Sequence, residues 1–178
     1  MISFVLHDIK PCSINAGYYK TKKVLTLEGR RYRKRLLVTL NQNAEIKKQL
    51  NILKEAFDPA LHGLKVTYYF FIPPKKMYLK GTGPISMASG DTDNYFKLTT
   101  DFLFSPKYLG HTFPGESNYI APIENIGIDD RFILKSSGYK LPNPHGDFYS
   151  VGIKADIVSK TPSSYPSFKC EESYKPKK

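Results

Sequence analysis

A chain of 178 residues fits one domain of ordinary size, and 40% hydrophobic residues, among them 13 Tyr and 11 Phe, supply a real core, which argues against wholesale disorder. With 27 Lys+Arg against 16 Asp+Glu the net charge is +11, a balance that favours nucleic acid, an anionic membrane surface or an acidic protein as partner. Membrane is the weakest of the three: the longest apolar run, residues 66–72, is far too short to span a bilayer, and residues 1–8 lack the basic start and long apolar stretch of a signal peptide.

Residues 2–9 alternate (Ile2, Phe4, Leu6) and predict a strand. A loop over 10–27 follows, marked by Pro11, Asn15 and Gly17 and loaded with Lys20, Lys22 and Lys23. A helical region opens near Thr26-Leu27-Glu28-Gly29. Its first part carries Arg30, Arg31, Arg33, Lys34 and Arg35 around Tyr32, Leu36, Leu37 and Leu40. Its second part sets Ile46, Leu50, Leu53 and Phe57 on one face, a core stripe. Gly63 stops the helix, residues 64–72 read as a mostly buried strand, and Pro73-Pro74 ends that strand.

Residues 75–90 make a basic loop with Lys75, Lys76 and Lys80, leading into Asp91-Thr92-Asp93. A short helix is predicted over about 92–102, with Asp91 or Asp93 placed to cap it. Residues 104–127, rich in Pro, Gly and Asn, read as a long inserted loop. Residues 131–141 and 148–158 read as a hairpin turning around Pro142-Asn143-Pro144-His145-Gly146. The end, 159–178, is a polar basic tail. Strand, helix, strand, helix and hairpin imply one α+β (mixed α/β) domain over 1–158, a mixed sheet flanked by helices.

The chemistry concentrates at the short helix. Asp93 and Lys97 are four residues apart and share a face, with Asp101 one turn beyond; Asp91 sits just before the helix and can converge with Asp93. Asp129-Asp130 opens a later element and can meet the first pair in space. Carboxylates of this kind are hard oxygen ligands, which Mg²⁺ or Mn²⁺ takes alongside phosphate, and a nearby lysine reaches the same phosphate. Acids concentrated in a basic chain point to metal-assisted chemistry on a polyanion, hence a nuclease. For any single Asp, a simple cap competes with this reading, and Lys97 with Asp101 could be a surface ion pair. His7, His62, His111 and His145 are scattered and are not assigned to a metal. Cys12 and Cys170 have no metal spacing and no disulfide framework, which suits a reducing cytoplasm.

The run Asp91-Thr92-Asp93-Asn94-Tyr95-Phe96-Lys97-Leu98-Thr99-Thr100-Asp101-Phe102-Leu103, followed by Asp129-Asp130, resembles the RusA-type Holliday junction resolvases. The N-terminal part is similar too: a strand, a loop with Pro11, Asn15, Tyr18 and Tyr19, then Glu28-Gly29-x-x-Tyr32-Arg33 opening a helix. The segment 104–127 is longer than that family's link, and the tail after Val158 is extra. The resemblance implies a Mg²⁺-dependent endonuclease, with Mn²⁺ as substitute, whose metal ligands are Asp91, Asp93 and Asp130 and whose catalytic lysine is Lys97. It implies a homodimer making paired nicks in a four-way DNA junction during recombination and repair, in the cytoplasm of a bacterium or as a phage protein in its host. Tyr18, Lys20, Lys22, Lys23, Arg30, Arg31, Lys75, Lys76 and Lys80 are the candidate DNA contacts, because cations interleaved with aromatics suit phosphates and unpaired bases. A broader flap endonuclease and a non-catalytic DNA-binding protein are the alternatives.

Overall fold

The computed structural model describes residues 1–19, 24–79, 83, 85, 92–105 and 125–160. In chain order these form β1 (Ile2–His7), α1 (Ile14–Gly17), α2 (Leu27–Gln42), α3 (Ala44–Ala56), β2 (His62–Ile72), α4 (Pro74–Met77), α5 (Thr92–Phe104), a 3-10 turn (Asp130–Phe132), β3 (Ile133–Pro142) and β4 (Ser150–Ser159). The strands make one mixed sheet in the order β1-β4-β2-β3, with β2 antiparallel to β4 and parallel to β3. The domain is α+β, as its sequence implies.

Period two explains which side carries the core. Leu64, Val66, Tyr68, Phe70 and Ile72 of β2 alternate onto one face and are at most 1% exposed. Ile2, Phe4 and Leu6 of β1 and Val151, Ile153 and Ala155 of β4 join them by register, and all belong to one cluster with Leu36, Leu37 and Leu40 of α2 and Leu98 and Phe102 of α5. The helices therefore lie over this face. Tyr69 and Phe71 point the other way and are only half-buried.

Several expected boundaries shift for local reasons. The helical region is two helices, because Asn43 leaves helical geometry (φ −92°, ψ 108°) and its side chain accepts from the Ile46 N–H at 3.1 Å, capping α3. Gly63, read as a helix stop, lies inside β2. The loop over 10–27 contains α1 and a bridge between Tyr18 and Leu25, and the 75–90 stretch begins with the end of α4. Of the inserted segment, Asn125 and Ile126 are buried, and the Ile126 N–H donates to the Leu103 carbonyl at 2.8 Å. Residues 106–124 and the tail beyond Lys160 lie outside the described residues.

The expected hairpin is the main correction. β3 and β4 do not pair with each other; β2 lies between them. A strand whose alternate side chains are all fully buried sits best with partners at both edges, and β2 takes β3 on one and β4 on the other. Buried Asn143 makes the long crossing possible. Its N–H bonds the Ile72 carbonyl, its Oδ1 accepts from the His145 N–H, and its Nδ2 donates to the Phe148 carbonyl at 2.7 Å. The connection thus passes over the end of β2 with its backbone groups satisfied, instead of closing as a tight turn.

Gly29 explains part of the Glu28-Gly29-x-x-Tyr32 spacing. A Cβ on Gly29 would stand 2.9 Å from the Gly17 Cα, so α1 and α2 cross in backbone contact. The Thr26 hydroxyl secures the crossing by donating to the Ala16 carbonyl at 2.6 Å. Gly29→Ala is expected to cost about 1–3 kcal/mol through overpacking. Urea denaturation would show a lower midpoint at unchanged slope, and an unchanged midpoint would refute the close crossing.

Candidate active site

Two buried tyrosines orient α5. Tyr32 of α2 bonds the Thr99 hydroxyl at 2.7 Å, and that hydroxyl donates to the Tyr95 carbonyl at 2.8 Å. The Thr100 hydroxyl lies 2.8 Å from both the Tyr68 hydroxyl and the Phe96 carbonyl. Burial pushes both phenols well above the usual tyrosine range, so they stay neutral at any working pH. Leu98, Phe102 and Leu103 fill the core beside them. With that side of the helix committed inward, the stripe of Asp93 and Lys97 faces solvent, and Asp101 on the same stripe is half-buried. Tyr32 belongs to the Glu28-Gly29-x-x-Tyr32-Arg33 pattern; the two threonines carry no sequence signal of their own.

Asp93 lies in the first turn of α5, and among the described residues neither Asp93 nor Lys97 takes part in an ion pair. The surface pair of Lys97 with Asp101 is therefore not what holds this lysine. Asp91 lies outside the described residues. The first turn rests on β3 at Gly138, where a Cβ would stand 2.9 Å from the Thr92 Cγ2 and 3.1 Å from the Phe96 Cδ1. Glycine there lets the helix sit close to the strand.

Asp129 and Asp130 occupy the other end of α5. Phe104, in the last turn, lines one cleft with Asp129 and Phe132. Asp129 caps the 3-10 turn: its Oδ1 accepts from the Arg131 N–H at 3.0 Å and its Oδ2 meets the Arg131 guanidinium at 3.0 Å. The backbone hydrogen bond from Arg131 holds its carboxyl below the usual range. Asp130 is pushed up, first by desolvation and then by the Asp129 carboxyl in hydrogen-bond contact with it. Asp130 follows Asp129 as the first residue of the 3-10 turn.

Of the sequence-predicted ligand set, Asp91 lies outside the described residues, Asp93 opens α5, and Asp130 follows Asp129, which shares a cleft with Phe104 of the last turn. Asp93 to Phe104 spans about 16 Å at 1.5 Å per residue, with Asp93 at one end and Asp129-Asp130 near the other. Among the described residues no three His, Cys, Asp or Glu side chains come together as a metal group. Asp93 with its neighbour Asp91 still suits a hard cation. Mg²⁺ needs only one or two carboxylates when phosphate oxygens and waters complete its shell.

Of the basic candidates, the described ones on the strand-end segments are Lys75 and Lys76. His7, Ile72, Pro142 and Ser150 mark one end of the sheet by register, since His7 pairs with Ser150, Phe71 with Ser150 and Ile72 with Pro142. The segments that leave β1 and β2 at this end carry Tyr18 and Lys75, Lys76, and α4 lies there. Lys20, Lys22, Lys23 and Lys80 lie outside the described residues. Arg30 and Arg31 are exposed on α2. Lys75 is exposed and bonded to Asp147 at 2.6 Å, which raises its pKa. Tyr18 packs against the core, and the neighbouring Tyr19, 52% exposed, is the ring open to a partner. Among the described residues no helix is long and apolar enough to cross a membrane.

In comparisons with known proteins, no family model and no curated protein matches this chain.

Proposed function

We propose that this chain is a divalent-metal-dependent endonuclease that nicks branched DNA, four-way junctions foremost, as a homodimer acting in recombination or repair. One observation carries the reading: α5 is locked by buried tyrosines so that Asp93 and Lys97 stand exposed on one face with no ion-pair partner among the described residues. An exposed carboxylate and ammonium one turn apart, at the start of a helix in a chain of net charge +11, suit a cation and a phosphate. Asp93, with Asp91, would hold Mg²⁺ or Mn²⁺; the metal would activate water and offset charge on the phosphoryl group. Lys97 would neutralise charge developing on the scissile phosphate. Cations of α2 and α4, Arg30 and Arg31 on the first and Lys75 and Lys76 on the second, would hold the DNA backbone.

A second reading, a non-catalytic basic DNA-binding protein, is favoured by the division of the carboxylates between the two ends of α5. A cleavage assay separates the two. Mg²⁺-dependent nicking of a synthetic four-way junction, compared with a flap and a plain duplex, is expected, and EDTA is expected to abolish it. Ca²⁺ should keep binding without turnover, because it fills carboxylate sites at longer distances. Binding without nicking in Mg²⁺ or Mn²⁺ would favour the binder, and full nicking in EDTA would refute the metal chemistry.

A further inference from the structure

The sheet face opposite the helices carries aromatic rings where an ordinary open face would be polar. Tyr69 lies between Phe71 (ring centroids 6.4 Å, planes 19° apart) and Tyr139 (5.6 Å, 17°). The rings lie over backbone: a Cβ on Gly152 would stand 3.2 Å from both Phe71 Cε2 and Tyr69 Cβ. Tyr139, on the edge strand, is 51% exposed. Cations flank the row. Lys65 stands in register between Lys135 of β3 and Asp156 of β4 on this face, and Lys154 lies two residues along β4 from Gly152.

We propose that this face is a stacking platform for single-stranded nucleic acid, with the three rings taking base faces and the three lysines taking phosphates. Parallel aromatic surface interleaved with cations is the chemistry that holds unpaired bases without reading their sequence. Three lysines against one aspartate on this face, in a chain of net charge +11, favour a polyanion over a second copy of the same charge. The proposal concerns a face distinct from α5 and stands apart from the nuclease reading.

The test is fluorescence anisotropy of a labelled oligothymidine strand with the full chain in EDTA, where no cleavage intervenes. Tyr139→Ala is expected to weaken binding by about five- to a hundredfold, the scale of one lost base stack. Tyr139→Phe should keep the affinity, and Tyr139→Leu, which retains apolar area without a π face, should lose it as alanine does. Lys135→Gln, a surface change on the same strand, should lower the steepness of the salt dependence by about 0.7, one phosphate contact on a single strand. Failure of the wild-type chain to bind the strand, or equal affinity in Tyr139→Ala, overturns the proposal. So does a wild-type dimer in sedimentation that Tyr139→Ala converts to monomer, because the face then belongs to a second copy.

Discussion

Asp93→Asn is expected to slow single-turnover nicking of a four-way junction in Mg²⁺ by about a hundredfold or more, the scale of a lost charge contact to the reacting group. Junction affinity measured in Ca²⁺ should be unchanged or higher. The substitution keeps the size of the side chain and removes one negative charge. In the first turn of α5 that charge is exposed and takes part in no ion pair among the described residues, so its loss breaks no ion pair that stabilises the fold. A purely structural Asp93 would give the opposite pattern, a small change in melting temperature with normal nicking. Asp130→Asn supplies the contrast. Asp130 sits near the far end of the helix, against Asp129, so its effect on nicking should stay within about tenfold unless the foot of α5 also reaches the phosphate. Equal losses in the two variants would show that the two ends serve one reaction, as the resemblance implies.

Lys97→Ala is expected to lower the single-turnover rate by about a hundredfold, again on the scale of a transition-state charge contact. Lys97 is one turn after Asp93 on the same exposed stripe, so its ammonium could approach a phosphate held by the proposed cation. Had it been paired with Asp101 on the surface, removal would cost roughly 0–1 kcal/mol of stability and little activity. Lys97→Arg is the finer probe. It keeps the charge while replacing a compact ammonium by a planar fork, so partial recovery is expected. Wild-type nicking by Lys97→Ala would remove this lysine from the mechanism. The melting temperature should not move by more than a degree or two, because no described contact is lost.

Local order was legible because it depends on near neighbours in the chain. The alternation of Ile2, Phe4 and Leu6 and the apolar run ending at Ile72 specify β1 and β2 through period two. The spacing of Ile46, Leu50 and Leu53 specifies the inward face of α3. The stripe of Asp93 and Lys97 arises from 3.6 residues per turn, and its exposure is set by the side of α5 that the core takes. Even the break at Asn43 was present in the residue type, since Asn competes for backbone donors and caps the next helix.

What only the tertiary structure decided were matters of which distant segments meet. Two strands joined by a Pro- and Gly-containing turn look like a hairpin; the hydrophobic demand of β2 for partners on both edges outweighs that local cue and separates β3 from β4. The same arrangement runs α5 back along β3, so that its first turn meets Gly138 and its last turn meets Asp129 and Phe132. The aromatic row of Tyr69, Phe71 and Tyr139 exists only through parallel register, because Tyr139 is seventy residues from Tyr69 in the chain. Residue type and periodicity set how each segment folds and which side it buries; the burial of long-range surface, a property of the whole domain, sets which carboxylates, rings and cations share a face.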